Sequence, residues 1–198
     1  MTTENSSQIT RSSLIRRASD RDSGAWCEIV DLYGPLIAHW CRRCGLETHS
    51  TADCVQEVFS SVAISISAFK PTRLSGSFRA WLWTITRHKV LDWVRKQNGF
   101  PQPAGGSTAI ARLREIVDTS TIPDDEPTGD EQLQGLIQRA LRQVEAEFEP
   151  GTWRGFWRSV VDGIPTEIVA AELNVTAATI RQARSRVLRK LRQQLGDL

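Results

Sequence analysis

Apolar residues recur every three or four positions along most of the chain, and alternating strand-type patterns are nearly absent. This period is typical of α-helices that bury one face, so the chain is expected to be all-α. Residues that cap or stop helices mark the ends of the segments. The predicted helices are Thr10–Ser19, a segment from Asp22 to a stop at Gly45, a segment capped by Ser50 or Thr51, Ser77–Gln97, Glu131–Phe148, Thr152–Val161, Thr166–Leu173 and Ala177–Leu195.

The helical pattern breaks once, between residues 98 and 130. This stretch holds half of the chain's eight prolines, a Gly-Gly pair and the acidic run Asp124-Asp125-Glu126. A loop of that length is unusual inside a compact domain. We therefore expect two small helical domains, at 10–98 and 131–198, joined by a flexible linker at 99–130 with one short helical turn near Ile110–Val117.

Charge follows the same division. The formal net charge is +4 for residues 1–96, −6 for 97–150 and +4 for 151–198. Basic ends around an acidic middle suggest two anion-binding modules and a solvated connector. Two ordinary charged surfaces around a disordered connector would have the same charges, so charge alone leaves both interpretations open.

The segment 166–192 has the pattern of a helix-turn-helix. Asn174-Val175 forms the turn, with Val175 expected to plug the corner and Thr176 to cap the second helix. From Thr176 to Leu195 there are six bases and no acid, which suits phosphates and base edges better than it suits a bundle. A solvated basic helix that packs as a terminal cap remains the alternative. The residues expected to face outward are Arg181, Gln182, Ser185, Arg186 and Arg189.

The fourth predicted helix carries two apolar stripes on nearly opposite sides, with bases between them. Aromatic residues interleaved with bases suit a surface that binds a single nucleic-acid strand. A central helix buried on two sides, whose bases reach the solvent, would show the same pattern. The bases are Arg79, Arg87, Lys89, Arg95 and Lys96.

Two motifs resemble one known family. The stretch T-A-D-C-V-Q-E-V-F at 51–59 is similar to the region-two signature of extracytoplasmic-function (ECF) sigma factors of the sigma-70 family. The stretch F-R-A-W-L-W-T-I-T-R-H-K-V-L-D-W-V-R-K at 78–96 is similar to the next motif of that region. The segment L-Y-G-P-L-I at 32–37 fits the same region, and the helix-turn-helix fits region four. The resemblance covers nearly the whole chain in the family's order.

The chain departs from the family pattern at several positions. His88 stands where the family usually has Asn, and Ser50 and Ala52 replace acidic residues of the region-two signature. Arg184 lies at the edge of the apolar face, where the family commonly has Leu. These differences concern promoter sequence rather than the class of protein.

The resemblance implies a sigma factor, which directs core RNA polymerase to specific promoters and aids DNA melting for transcription initiation. Core polymerase and promoter DNA are the implied partners, and an anti-sigma factor is a further partner that the family allows. The acidic linker is expected either to run through a basic channel of the polymerase or to serve as a plain tether. The implied site residues are Asp53, Gln56 and Glu57 for core polymerase; Arg79, Trp83, Arg87, His88, Lys89, Arg95 and Lys96 for the minus-ten element; and Thr176, Thr179, Arg181, Gln182, Ser185, Arg186 and Arg189 for the minus-thirty-five element.

Two other functions fit parts of the sequence. A helix-turn-helix regulator would bind a duplex operator without core polymerase. A zinc-binding, redox-sensing regulator would use the neighbouring His and Cys residues. These candidate ligands are His39, Cys41, Cys44, His49 and Cys54.

No enzyme is predicted, because no nucleophile, base and orienting group form a recognisable set and no glycine-rich phosphate loop is present. No cofactor or metal is predicted either. The chain has no apolar run of membrane-spanning length and its first residues are polar, so we expect no membrane insertion and a cytoplasmic location with reduced thiols.

Overall fold

A computed structural model describes residues 13–69, 77–97, 122–123 and 125–195. Within these ranges the chain is helical and contains no β-strand, which confirms the all-α prediction. None of the described helices is both long and apolar enough to cross a membrane. The helices are α1 (Ser13–Ser19), α2 (Ser23–Arg43), α3 (Thr48–Ser65) with a 3-10 turn at Ile66–Ala68, α4 (Phe78–Gln97), α5 (Asp130–Glu145), α6 (Pro150–Val160), α7 (Thr166–Glu172) and α8 (Ala177–Leu195).

Capping side chains mark the starts of two helices in the N-terminal unit. Asp22 accepts a hydrogen bond from the amide of Ala25 at 3.1 Å and so begins α2, and Ser77 accepts one from the amide of Ala80 at 3.3 Å before α4. The prediction for α3 was wrong, because the helix begins at Thr48 after Glu47, which makes no side-chain cap. The expected helical turn at 110–117 lies outside the described residues.

The N-terminal unit buries α2, α3 and α4 against one another. Helix α4 has buried residues on two sides, including Phe78, Leu82, Trp83 and Val90, as its two apolar stripes indicate. Because one helix supplies both sides, its bases are confined to the strips between the two packed faces. This confinement fixes which of its charged groups reach the surface.

The C-terminal unit has two small clusters of its own. Phe156 of α6 packs with Val144 and Val187, and Val169 of α7 packs with Ile180 of α8. Arg158 of α6 adds an ion pair to Glu172 at 2.9 Å, which ties α6 to α7. The second helix of the predicted helix-turn-helix is thus held from two sides.

The two units pack together through α5, whose Leu136 and Ala140 belong to the same buried cluster as the residues of α2. Arg139 donates to the carbonyl of Leu32 at 3.0 Å, and Gln143 donates to the carbonyl of Glu28 at 3.1 Å. The prediction of two helical domains therefore needs one refinement, since the described parts share a core. Such sharing arises when small units have too little apolar surface to bury separately.

The end of α8 reaches the N-terminal unit as well. Gln194 is 1% exposed and donates to the carboxylate of Glu28 at 2.9 Å, while the hydroxyl of Tyr33 donates to the carbonyl of Leu195 at 3.2 Å. The same helix that carries the predicted duplex-binding face at its start is anchored to the N-terminal unit at its end.

Candidate nucleic-acid interface

The helix-turn-helix forms where the sequence predicts it. Asn174 adopts a left-handed conformation with φ 52°, which Asn tolerates better than most residues, and the chain reverses there. The amide of Val175 then donates to the carbonyl of Ala170 at 3.0 Å. Thr176 accepts a hydrogen bond from the amide of Thr179 at 3.1 Å, so Thr176 is the expected cap of α8.

The prediction for Val175 was wrong, and a close helix contact near the turn was not predicted. Val175 does not plug the corner and is 41% exposed; after the reversal at Asn174 it is Leu173 that packs inward, with Ile164 and Ala177. Gly155 of α6 lies so close to α8 that an added Cβ would meet Cδ1 of Ile180 at 3.0 Å. The sequence signal was a glycine inside an amphipathic helix, which often marks a close helix contact.

The outward face of α8 is exposed and free of acids. Ile180, Ala183 and Val187 are buried on the opposite side. Arg184, at the edge of the faces, is also exposed. All seven residues that the resemblance implies for the minus-thirty-five element are exposed, namely Thr176, Thr179, Arg181, Gln182, Ser185, Arg186 and Arg189.

Two bases of α8 have partners within the protein. The guanidinium of Arg186 lies over the ring of Phe148, 5.7 Å from its centroid, and Lys190 pairs with Glu147 at 2.6 Å. Both partners lie just after α5, so they fix the middle of α8 to the rest of its unit. Arg181, Gln182 and Ser185, nearer the helix start, are exposed and have no ion pair in the described part of the chain.

Four of the bases of α4 form two groups whose mean directions are about 130° apart around the helix at 100° per residue. On one side, Nε of Arg79 lies 2.5 Å from a carboxylate oxygen of Glu126, and Nε of Arg87 donates to the carbonyl of Pro123 at 3.1 Å. The approach of Arg79 is a charge contact rather than an aligned hydrogen bond, because its Nε has no hydrogen-bond partner.

On the other side of α4, Lys89 lies 3.6 Å and Lys96 lies 3.9 Å from the carboxylate of Glu57 on α3. His88 is exposed between the two groups. The bases of this helix therefore face acids of the same chain on both sides.

Two residues expected at the minus-ten surface lie in the core instead. Trp83 is 4% exposed and makes an edge contact with Trp40, with ring centroids 5.6 Å apart. Arg95 is 8% exposed and donates to Asp92 at 2.8 Å. Both lie on a side of α4 that packs against its neighbours, so in this arrangement they position the helix rather than present a surface.

The residues expected to bind core polymerase are all exposed on α3. Asp53, Gln56 and Glu57 share one side of the helix, and His49 lies 3.8 Å from Asp53. This acidic side is adjacent to the lysines of α4, so the two predicted surfaces meet at Glu57.

Three cysteines form a buried group between α2 and α3. A hydrogen bond from Cys41 to Cys54 raises the pKa of Cys41 and lowers that of Cys54, and burial raises the pKa of Cys44 to about 11. Cys27 is exposed. Within the ranges that the structure describes, no three His, Cys, Asp or Glu side chains are placed to hold a metal ion.

The N-terminal unit matches a protein-family model, and one relative matches nearly the whole chain. Residues 29–100 match the family model described as Sigma-70 region 2. The ECF RNA polymerase sigma factor SigW of Bacillus subtilis is 24% identical over 187 residues, which cover 93% of this chain and 96% of SigW. The ECF RNA polymerase sigma factor RpoE of Cereibacter sphaeroides is 28% identical over 102 residues, 51% of this chain and 55% of RpoE.

Among solved structures, CnrH in complex with the cytosolic domain of CnrY is similar. The identity is 21%, with 92% of this chain and 94% of that chain covered and a TM-score of 0.38.

Proposed function

We propose that this chain, which belongs to the ECF group of the sigma-70 family, directs core RNA polymerase to specific promoters and helps to melt the DNA there. Its region-two match and its two ECF relatives are the basis of that membership. The function is regulatory rather than catalytic, an inference at the level of the family. Its place of action is the cytoplasm, where the polymerase is.

One observation supports the proposed function beyond family membership. It is the exposed, acid-free face of α8, the second helix of the helix-turn-helix. A second helix presented in this way fits the major groove of duplex DNA. Arg181 and Gln182, near the helix start, are placed to reach base edges, and Arg189 is placed for phosphates. Beside Thr176 and Thr179, the backbone amides of Ala177 and Ala178 at the helix N-terminus are placed for a phosphate.

A second surface, on α4, is proposed for the melted strand of the minus-ten element. Arg79, Arg87, His88, Lys89 and Lys96 are its candidate contacts. Flipping a base out of the stack costs a few kcal/mol, and contacts with the protein must offset this cost. Trp83 and Arg95 are buried and support the helix from within.

The acidic side of α3 is proposed as the contact with core polymerase. Asp53 and Glu57 are one helical turn apart and exposed, so a basic partner can engage both. Residues 10–98 and 131–198 then act as the polymerase and minus-ten unit and the minus-thirty-five unit. The linker at 99–130 connects them, and an anti-sigma factor would be a further partner of these surfaces.

Transcription in vitro with core polymerase tests the proposal directly. A library of promoter fragments should yield specific transcripts only when this chain is added. The double variant Asp53→Ala with Glu57→Ala should lower both transcript yield and affinity for core polymerase. The control, Glu145→Ala with Glu149→Ala, removes the same charge from two exposed acids of the C-terminal unit and should leave both unchanged.

The result that would contradict the proposal is also specific. If the chain binds duplex DNA sequences selectively but never changes the products of core polymerase, it is a helix-turn-helix regulator that acts without polymerase.

A further inference from the structure

The end of the acidic linker lies against the proposed minus-ten surface. We call residues 122–123 and 125–129 the cover segment. Ile122 is 6% exposed and belongs to the core cluster of the N-terminal unit. From there the cover segment accepts a hydrogen bond from Arg87 at the carbonyl of Pro123 and places Glu126 beside Arg79.

The far end of the cover segment is held as well. Nε1 of Trp40 donates to the hydroxyl of Thr128 at 3.0 Å, and that hydroxyl donates to the carboxylate of Glu126. The carboxylate is thus oriented by a chain of hydrogen bonds that starts at a buried tryptophan of α2. The contact between Glu126 and Arg79 is therefore built into the fold and does not depend on a freely moving side chain.

The chemistry at Arg79 and Arg87 is that of a phosphate site already occupied. A carboxylate oxygen lies against the charge of Arg79 and a carbonyl oxygen accepts a hydrogen bond from Arg87, so both occupy positions that phosphate oxygens of a strand would take. The side chains of Arg79 and Glu126 are only 26% and 13% exposed. A phosphate therefore cannot reach Arg79 at this position while Glu126 remains there.

Displacement by another anion is feasible, whereas simple opening is unfavourable. Removal of Glu126 alone would leave the mostly buried charge of Arg79 without its carboxylate, which is costly. A phosphate that takes its place restores the pair. The arrangement therefore favours exchange of one anion for another.

From these contacts we propose that the cover segment competes with single-stranded DNA for Arg79 and Arg87, so that the free protein binds a strand weakly until the segment is displaced. This inference rests on the proposed function, because it takes α4 as the strand surface. The outward face of α8 has no such cover in the described part of the chain, so duplex recognition should be independent of the segment.

Binding of a fluorescent random-sequence single-stranded DNA pool to the full-length protein tests the competition. Glu126→Gln keeps the shape of the side chain and removes its charge, so it should bind the pool several-fold more tightly than the wild type. Glu149→Gln, an equal change of charge at an exposed position in the other unit, is the control and should bind like the wild type.

Hydrogen exchange of the wild type gives a second measurement, which does not require the variant to fold. The amides of Glu126 and Thr128 should exchange faster when the single-stranded pool is bound. Equal binding by Glu126→Gln and Glu149→Gln, or unchanged exchange with bound DNA, would overturn the competition. The proposed function would survive that result if the wild type still supports promoter-specific transcription with core polymerase, so the two ideas fail separately.

Discussion

Helices α4 and α8 have similar numbers of bases but differ in what surrounds them. In α4, Arg79 and Arg87 face the cover segment, and Lys89 and Lys96 face Glu57. In α8 the first bases are exposed, and only Lys190 has an ion pair among the described residues. Composition alone would predict the same affinity for nucleic acid. The surroundings instead fit the proposal that α8 is ready for duplex DNA and that α4 must first exchange its partners.

The largest expected effect comes from removing a core side chain that supports the exposed face of α8. Phe156 is 1% exposed and packs with Val144 and Val187, so Phe156→Ala should cost about 3–5 kcal/mol of unfolding free energy. Denaturant titration and duplex binding measure the result. Trp157→Ala is the control, because the neighbouring Trp157 is 36% exposed and should cost much less. If the control lost duplex binding equally, α8 would not depend on the packing at Phe156.

Substitutions on the exposed face of α8 should separate base contacts from phosphate contacts. Arg181→Ala or Gln182→Ala should cost roughly 1–3 kcal/mol on the preferred promoter and relax preference at one position. Arg189→Ala should weaken all sequences alike and reduce the salt slope by about one unit. Binding to a library of upstream elements at several salt concentrations measures both. If only Arg189→Ala changed sequence preference, the rotation of α8 on DNA would differ from ours, and Arg184 would become a candidate contact.

Substitutions on α4 should affect promoter opening more than closed-complex binding. His88→Ala and Lys89→Ala remove contacts proposed for the flipped strand, and each should reduce melting by an amount smaller than the few kcal/mol that flipping costs. Permanganate footprinting with core polymerase measures opening. Thr84→Ala, at an exposed position whose hydroxyl only bonds the carbonyl of Ala80, is the control. Normal melting by both variants would remove α4 from the strand surface.

Much of the local structure could be predicted, because it depends on residues close in sequence. The range of α8 was predicted as Ala177–Leu195, since its apolar period is regular and Thr176 is a strong cap. The start of α3 was missed because Glu47 makes no side-chain cap and leaves no capping signal. The exposure of the outward face of α8 followed from the same period.

What could not be predicted depends on contacts between distant segments. In the sequence, Trp83 cannot be distinguished from an aromatic residue that stacks on a base. Only its contact with Trp40 shows that it is buried. The acidic charge of the linker was plain, but the burial of Ile122 that brings Glu126 to Arg79 was not. A single apolar residue between Thr121 and Pro123 carries too little pattern to reveal which surface it joins.

The smallest expected effect concerns the acids that pair with lysines on the two helices. Glu57 lies 3.6 Å from Lys89 and 3.9 Å from Lys96, and Glu147 lies 2.6 Å from Lys190. Exposed ion pairs contribute about 0–1 kcal/mol, so Glu57→Gln and Glu147→Gln should each lower the unfolding free energy by less than about 1 kcal/mol. Glu147→Gln should cost more of the two, because its contact is shorter and Lys190 is only 20% exposed.

Denaturant titration at low and high salt checks this order, since salt screens exposed pairs and should reduce both costs. A weak pair at Glu57 matters for the comparison of the two helices. If the ion pairs of Glu57 with Lys89 and Lys96 contribute little free energy, binding of polymerase to Glu57 frees both lysines for DNA at little cost. A loss above about 2 kcal/mol in Glu57→Gln would exceed what an exposed pair contributes. The lysine side of α4 would then be a fixed part of the fold, and only the side under the cover segment would exchange its partners.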